Sequence, residues 1–413
     1  MKKVLISLLV LAVAGGGAFA QGWTFNGMMA GGIGLFFFDD DDEDARVAPI
    51  NDDPAAAFRT QLDAHFTNAD ANAGLSFRIR GNGNQLSRGA GANDAMDAWF
   101  DWAFGWLSFA DNMVTVYGGH IFQSTFNAFD RMFGFRHMEG LGLLTVVRPM
   151  DGLALGFGGF SSGAGNLTLD GNNDEQARFM FSARYDDPSG DFSVVASVRN
   201  TNDHVGVAGT GPGWAPDPIP GSRTQVSQAY LSFAWHALED IHLAATARFM
   251  GLEEFADYGD MRFYVTFGHT GLVENMDLRL GASFGMTMRD EMADESDPSP
   301  HVWIWASVAY ELTDRLVPRL DVHYVLGGAW NNWQRTHHWA ARDGATFHED
   351  DSFIQIRPAV QFRATPSAFL EIGCIFNIDL GDNTTWGRMR AGDDFGNDTG
   401  MNIGIYALMR VSF

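Results

Sequence analysis

Gly281-Ala282-Ser283-Phe284-Gly285 has the G-x-S-x-G spacing that presents a serine nucleophile in many hydrolases. That chemistry needs the serine on a sharp strand-to-helix turn, with a base within reach. Here Met276, Leu278, Leu280, Ala282, Phe284, Met286 and Met288 alternate with Asp277, Arg279, Gly281, Ser283, Gly285, Thr287 and Arg289. The motif is therefore the middle of a strand with Ser283 on its polar face, and the match is read as coincidence. The run Asp39-Asp40-Asp41-Asp42-Glu43-Asp44 offers carboxylates for Ca²⁺ but lacks the glycine and spacing of an EF-hand loop, so it reads as a solvated acidic loop. His337, His338 and His348 share one stretch without a defined metal-ligand spacing. Cys374 is the only cysteine, which excludes an intrachain disulfide and a cysteine-rich metal site. The residues thus point to no catalytic group, no metal and no cofactor. What remains chemically suggestive is arginine.

Lys2 and Lys3 are the only lysines, so the chain beyond residue 20 carries 25 Arg and no Lys against 51 acids, a net −26. A phosphate-binding surface needs clustered cations, so nucleic acid is excluded as a partner. Charged residues make up 19% of the chain, against about 25% in ordinary soluble domains. Gly (48) and Phe (34) are abundant. This is neither a disordered chain nor a heptad coiled coil.

The first residues fix the route the chain takes. Met1-Lys2-Lys3 is cationic, Val4 to Ala14 is apolar apart from Ser7, and Ala18-Phe19-Ala20 sets small residues where a signal peptidase reads. Residues 1–20 are a predicted signal peptide and residues 21–413 the mature chain. The apolar run is too short to span a bilayer, which takes about 20 residues as a helix. The chain is read as exported.

Period-2 alternation runs through most of the mature sequence. Phe58, Leu62, Ala64 and Phe66 interleave with Arg59, Gln61, Asp63 and His65. Ile354, Ile356, Val360 and Phe362 interleave with Gln355, Arg357, Gln361 and Arg363. Eighteen such segments of roughly 10–13 residues follow one another, or sixteen if one hairpin is lost. Each suits a tilted strand crossing a bilayer, which takes about 9–11 residues. Connections alternate between long ones, such as Phe37–Ala56 and Thr201–Arg223, and short ones, such as Phe109-Ala110-Asp111 and Thr365-Pro366-Ser367. The fold expected is all-β: a closed antiparallel transmembrane barrel, apolar outward and polar inward, with both chain ends on the short-turn side. Trp23, Trp106, Tyr117, Trp235, Tyr310 and Tyr406, near strand ends, are expected to form interfacial girdles. Cys374 shares parity with Leu370, Ile372 and Phe376 and should face lipid. A wall of 16–18 strands leaves an aqueous channel. Arg59, Arg78, Arg80, Arg279, Arg357 and Arg363 fall on its lumen side, so the wall leans positive while the outer loops carry most of the acid.

The last strand places Ile403, Ile405, Ala407, Met409, Val411 and Phe413 on one face and Gly404, Tyr406, Arg410 and Ser412 on the other. In this the chain resembles the Gram-negative outer-membrane barrel superfamily, and the porins in particular. The resemblance implies that Tyr406, Val411 and Phe413 on the terminal strand are read by the barrel-insertion machinery. It also implies that the third long loop, residues 121–139 with Asp130, Arg131, Arg136 and Glu139, folds inward to a waist facing Arg59, Arg78 and Arg80. The Pro-Glu-Phe-Gly-Gly signature of the classical family's loop is absent. The function implied is passive diffusion of small hydrophilic solutes or ions, with a lean to anions, across a diderm outer membrane, with lipid around the barrel and a homotrimer as its assembly. Two alternatives stay open: a barrel enzyme, and a structural or adhesive surface barrel with a plugged lumen. Mass spectrometry of the exported protein is expected to give Gln21 as its first residue; a chain retaining residues 1–20 would refute the export signal.

Overall fold

The computed structural model describes residues 22–37, 46–50, 58–83, 97–129, 139–160, 178–201, 226–250, 252, 260–287, 299–326, 353–380 and 401–413. The expected signal peptide over residues 1–20, the acidic run 39–44, the three histidines of 337–348 and the neighbouring Trp330, Trp333 and Trp339 lie outside them.

Alternating apolar and polar side chains can satisfy two different surroundings at once only on a pleated strand, and the chain forms one strand after another. They are β1 (Trp23–Phe37), β2 (Arg46–Ile50), β3 (Phe58–Thr67), β4 (Ala73–Gly83), β5 (Asp97–Phe109), β6 (Val114–Phe122), β7 (Glu139–Met150), β8 (Leu153–Phe160), β9 (Arg178–Asp186) and β10 (Phe192–Thr201). There follow β11 (Val226–Trp235), β12 (Ile241–Met250), β13 (Asp260–Thr270), β14 (Met276–Thr287), β15 (Ser299–Tyr310), β16 (Leu316–Leu326), β17 (Phe353–Thr365), β18 (Ala368–Asp379) and β19 (Met401–Ser412).

All pair antiparallel with their chain neighbours in one sheet, and β1 pairs with β19 from Met28↔Ser412 to Phe37↔Ile403, closing it. The wall has eighteen positions, as expected, although nineteen strands build it. Short β2 lies against Gly32–Phe36 of β1 and β3 against Trp23–Gly31, so the two share one position.

Eight short turns join the strands at the rim where β1 begins and β19 ends. Their residues explain their tightness. Asn68 bends the β3–β4 turn by accepting from the backbone N–H groups of Asn72 and Ala73 at 3.0 Å each. Ala110, Asp111 and Asn112 all take positive φ in the β5–β6 turn.

The outer surface is apolar and bare. Phe100, Leu143, Phe179, Phe181, Leu231 and Ile405 are each about half exposed or more. Buried serines, glutamines, arginines and carboxylates lie on the opposite parity. That is the reverse of a water-soluble sandwich, and so large an exposed apolar belt requires lipid. The girdle expectation holds for half of its residues. Trp23, Trp235 and Tyr310 share the outward parity, at the short-turn rim. Trp106, Tyr117 and Tyr406 instead sit on the inward parity, and Tyr117 and Tyr406 are buried in the lumen. Ring type alone did not decide the face; parity did.

The seam depends on a missing side chain. The Phe413 ring lies where a Cβ on Gly27 would come within 2.1 Å of it. The same two residues exchange backbone hydrogen bonds, Gly27 N–H to Phe413 O at 2.8 Å and Phe413 N–H to Gly27 O at 2.9 Å. A branched side chain at 27 would push the terminal ring off its seat and open the ladder at the point of closure. Gly27→Val is therefore expected to cost about 1–3 kcal/mol, the usual range for overpacking. It should lower the urea midpoint and reduce the folded, heat-modifiable band on electrophoresis. An unchanged midpoint would show that the seam does not need Gly27.

Candidate functional site

The inner wall has two unlike sectors. From β6 to β11 its inward residues include Ile121, Leu144, Val146, Phe160, Met180 and Val195, all essentially buried. They are apolar on the side that simple alternation reserves for polar groups. The chain leaving β6 covers them, with Phe126 fully buried and Ala128 nearly so in the same cluster. Residues 123–129 thus leave the wall at β6 and cross the interior to β9 and β11.

Polar clamps fix that crossing. Tyr230 on β11 donates its hydroxyl to the Phe126 carbonyl. The Phe129 N–H donates to Ser232 Oγ at 2.9 Å. Arg184 on β9 donates to the Thr125 carbonyl at 3.0 Å and lies 5.2 Å from the Phe129 ring centroid. Asp186 holds Arg184 at 2.8 Å and accepts from Ser193 Oγ at 2.6 Å. Each clamp also satisfies a backbone group that would otherwise be stranded in the interior.

The second sector is polar. On β3 and β4, Arg78 meets Asp63 at 2.5 Å, and its guanidinium lies 5.1 Å from the Trp102 ring and 5.6 Å from that of Phe122. On β16 to β19 a buried carboxylate, Glu371, is the node. Tyr406 donates to it at 2.7 Å, Gln361 at 2.7 Å and Arg319 at 3.3 Å. Arg357 stands 3.8 Å from Glu371 and donates to the Tyr406 hydroxyl at 3.2 Å. A buried charge must be paired and hydrogen-bonded to persist, and these four groups do both. Next along the wall, Trp303 donates to His323 Nδ1 at 3.3 Å with the rings stacked.

The residues singled out from sequence are distributed between these parts. Arg78 and Arg80 lie on the inner face of β4, Arg357 in the Glu371 node, Arg279 against Asp277 at 2.5 Å, and Arg363 against Glu311 at the short-turn rim. Arg59 is on β3 beside Asn82, and Glu139 opens β7 opposite Phe122; their side chains are not among those described. Asp130, Arg131 and Arg136 fall outside the described residues. Phe122, at the start of the third long loop, does meet Arg78, but the following residues run to Arg184, Tyr230 and Ser232 rather than back to β3 and β4. Sequence reasoning missed Glu371 as a node, together with Tyr230 and Arg184 as clamps. One signal was there to be read: Leu141-Gly142-Leu143-Leu144-Thr145-Val146-Val147 is almost continuously apolar, as a strand covered on both faces should be.

No protein-family model matches the chain, and neither does any curated protein sequence. Solved structures do. OccK9 (OpdG) of Pseudomonas aeruginosa superposes with a TM-score of 0.52 at 10% identity, over 95% of this chain and 98% of that one. An anion-selective porin from Comamonas acidovorans gives 0.49 at 11% identity, over 95% and 99%. The outer membrane channel DcaP of Acinetobacter baumannii gives 0.49 at 10%, over 95% and 97%. At such identities the likeness is one of fold: the chain is a closed eighteen-position transmembrane β-barrel of the architecture found in outer-membrane channels.

Tyr230→Phe removes the donor that holds the Phe126 carbonyl and leaves that oxygen buried, a loss of about 1–3 kcal/mol. Hydrogen exchange is expected to accelerate at the amides of 123–129 while the β12–β19 ladders keep their protection. Uniform exchange in variant and wild type would show that the clamp does not hold the crossing.

Proposed function

We propose that this protein is an outer-membrane channel through which small hydrophilic solutes or ions diffuse passively, with no catalytic chemistry of its own. One observation carries the reading. The closed wall has eighteen positions, and the described crossing segment covers only its β6–β11 sector, so the charged sector of β12–β19 and β3–β4 faces inward across the barrel from an apolar bed. A barrel of about eight strands is filled by its own side chains, whereas this one is wide enough for a passage. Arg80, Arg199, Arg248, Arg262 and Arg410 also lie on the inward parity, and this number of inward cations supports a lean towards anions. Arg262, Tyr264 and Trp303 are 1–2% exposed, so the inner wall at β13–β15 is closely packed.

The same burial is what a second reading would use: a surface barrel whose lumen is plugged. Insertion through the terminal strand belongs to the proposal, with Val411 and Phe413 facing outward for the machinery and Tyr406 turned inward. So does residence in a diderm outer membrane as a homotrimer.

Reconstitution in a planar bilayer separates the two readings. A KCl gradient should give stepwise conductance with a reversal potential displaced towards chloride. Displacement towards potassium would overturn the anion preference. Absence of conductance would overturn the channel and leave the plugged barrel.

A further inference from the structure

At mid-wall the inward side chains of β13–β15 are closely packed, but towards the short-turn rim the inner face of β14–β16 opens. The side chains of Arg279 and Asp277 on β14 are 46% and 32% exposed, and those of Arg319 and Asp321 on β16 are 32% and 14% exposed. All four lie on the inward parity, so a solute in the lumen can touch them.

Register sets these charges in opposed order. Arg279 pairs with Ser307 on β15, and Ser307 with Asp321; Asp277 pairs with Ala309, and Ala309 with Arg319. One row across the three strands therefore reads Arg279, Ser307, Asp321. The row nearer the rim reads Asp277, Ala309, Arg319. Directly paired residues point to the same side of a sheet, so both rows face inward. Between the charges β15 offers only a hydroxymethyl and a methyl group. Neighbouring strands lie about 4.7–4.9 Å apart, so the rows bound a slot about 9–10 Å across, charged on both sides and floored by small side chains. Beyond Arg279 its partner on β13 is Gly268, where a Cβ would stand no closer than 3.8 Å to another atom. That side is open too.

The first of the two rows has unused capacity. Arg279 donates to Asp277 through Nε at 3.0 Å and Nη2 at 2.5 Å, and its Nη1 meets no other described residue. Asp277 is thereby occupied. Across the slot, Asp321 faces only the Arg319 guanidinium at 3.8 Å among the described residues, which is too far for a hydrogen bond. Arg319 itself donates to Glu371 at 3.3 Å. A planar cationic donor thus stands on one side, and a carboxylate short of donors on the other. A singly charged solute satisfies one side; a short solute with both charges satisfies both.

We infer that β14–β16 hold an α-amino-acid zwitterion in the lumen near the short-turn rim, its carboxylate on Arg279, its ammonium on Asp321 and its backbone over Ser307. The amino-acid side chain then points into the lumen, so the slot selects the class rather than one member. The inference rests on the channel reading and gives it a substrate class that a lean towards anions does not reach, because the zwitterion carries no net charge.

Titration calorimetry on the full barrel refolded in detergent, with L-alanine, sodium acetate and methylammonium chloride as probes, tests the slot without relying on conductance. L-Alanine should bind about tenfold more tightly than either of the other two, the usual worth of one more hydrogen bond to a charged group. Asp321→Asn, equal in size, should weaken L-alanine about tenfold and leave acetate no weaker. Arg279→Gln should weaken both. Arg148→Gln removes a cation from the inner face of β7, where Arg148 donates to Thr115 Oγ1 at 3.4 Å, and should leave L-alanine binding as it was. Strand circular dichroism identifies any variant that fails to fold, and the three probes on the unaltered barrel need no variant. L-Alanine binding no more tightly than acetate would overturn the zwitterion assignment. Equal L-alanine affinity in wild type and in the folded Asp321 and Arg279 variants would overturn the slot. A barrel that conducts chloride but binds no L-alanine refutes the slot alone, and one that binds L-alanine but conducts nothing refutes the channel alone.

Discussion

Backbone N–H and C=O groups find no water in hydrocarbon, so a sheet that enters a bilayer must leave no edge. This constraint organises the molecule. It requires the first and last strands to meet, and because β1 and β19 meet antiparallel, β1 begins and β19 ends at one rim and the number of wall positions is even. It also sets the local chemistry of the seam, where Gly27 gives up its side chain so that Phe413 can complete the ladder and cover it. Where β2 and β3 interrupt one position of the wall, β1 stays paired along both, so even that break leaves its length against a partner.

Closure at eighteen positions creates a second problem, because the interior is too wide for side chains alone to fill. The chain's answer is to turn part of itself inward. Residues 123–129 lie on an apolar bed, where Phe126, Leu144, Phe160 and Met180 form a small core inside the barrel. That core replaces water on one side of the lumen with packed side chains. Burial of such residues is worth about 1.5–3 kcal/mol each, and the crossing backbone accepts hydrogen bonds from Tyr230 and Arg184 and donates one to Ser232. The polar sector keeps its charges instead, bound to one another around Glu371 and Asp63. One barrel therefore contains a dry side and a charged side.

How much of this was legible follows from which interactions are local. Period-2 alternation is a property of neighbouring residues, so strand identity, parity and count could be read directly, as could the rim of short turns from their Asp, Gly, Pro and Ser. The interior is different. Glu371 meets Arg319 across the intervening β17, and Tyr230 meets Phe126 from more than a hundred residues away; no spacing records either. Trp106, Tyr117 and Tyr406 were misplaced because an aromatic near a strand end suits an interface and a lumen equally. The run from Leu141 to Val147 was a readable exception, since a strand apolar on both parities must be covered on both faces. It announced the inner core, though not which segment would cover it.

Absence of lysine beyond residue 3 fits this division of labour. An ammonium is a compact, strongly hydrated point charge that readily gives up its proton when desolvated, whereas a guanidinium stays charged and spreads five donors over a rigid plane. Arg357 uses that plane to reach Glu371 and the Tyr406 hydroxyl together, and Arg184 to hold Asp186 and the Thr125 carbonyl together. Cations of this kind can be fixed in a narrow lumen without losing charge, while the excess of carboxylates that makes the chain net acidic falls in the long connections. A solvated carboxylate acts on an anion only across a screening length, about 8–10 Å at moderate salt. Buried inward arginines such as Arg248, Arg262 and Arg357 are screened far less. The sign of the net charge therefore describes the connections, and the placement of arginine describes the barrel's interior.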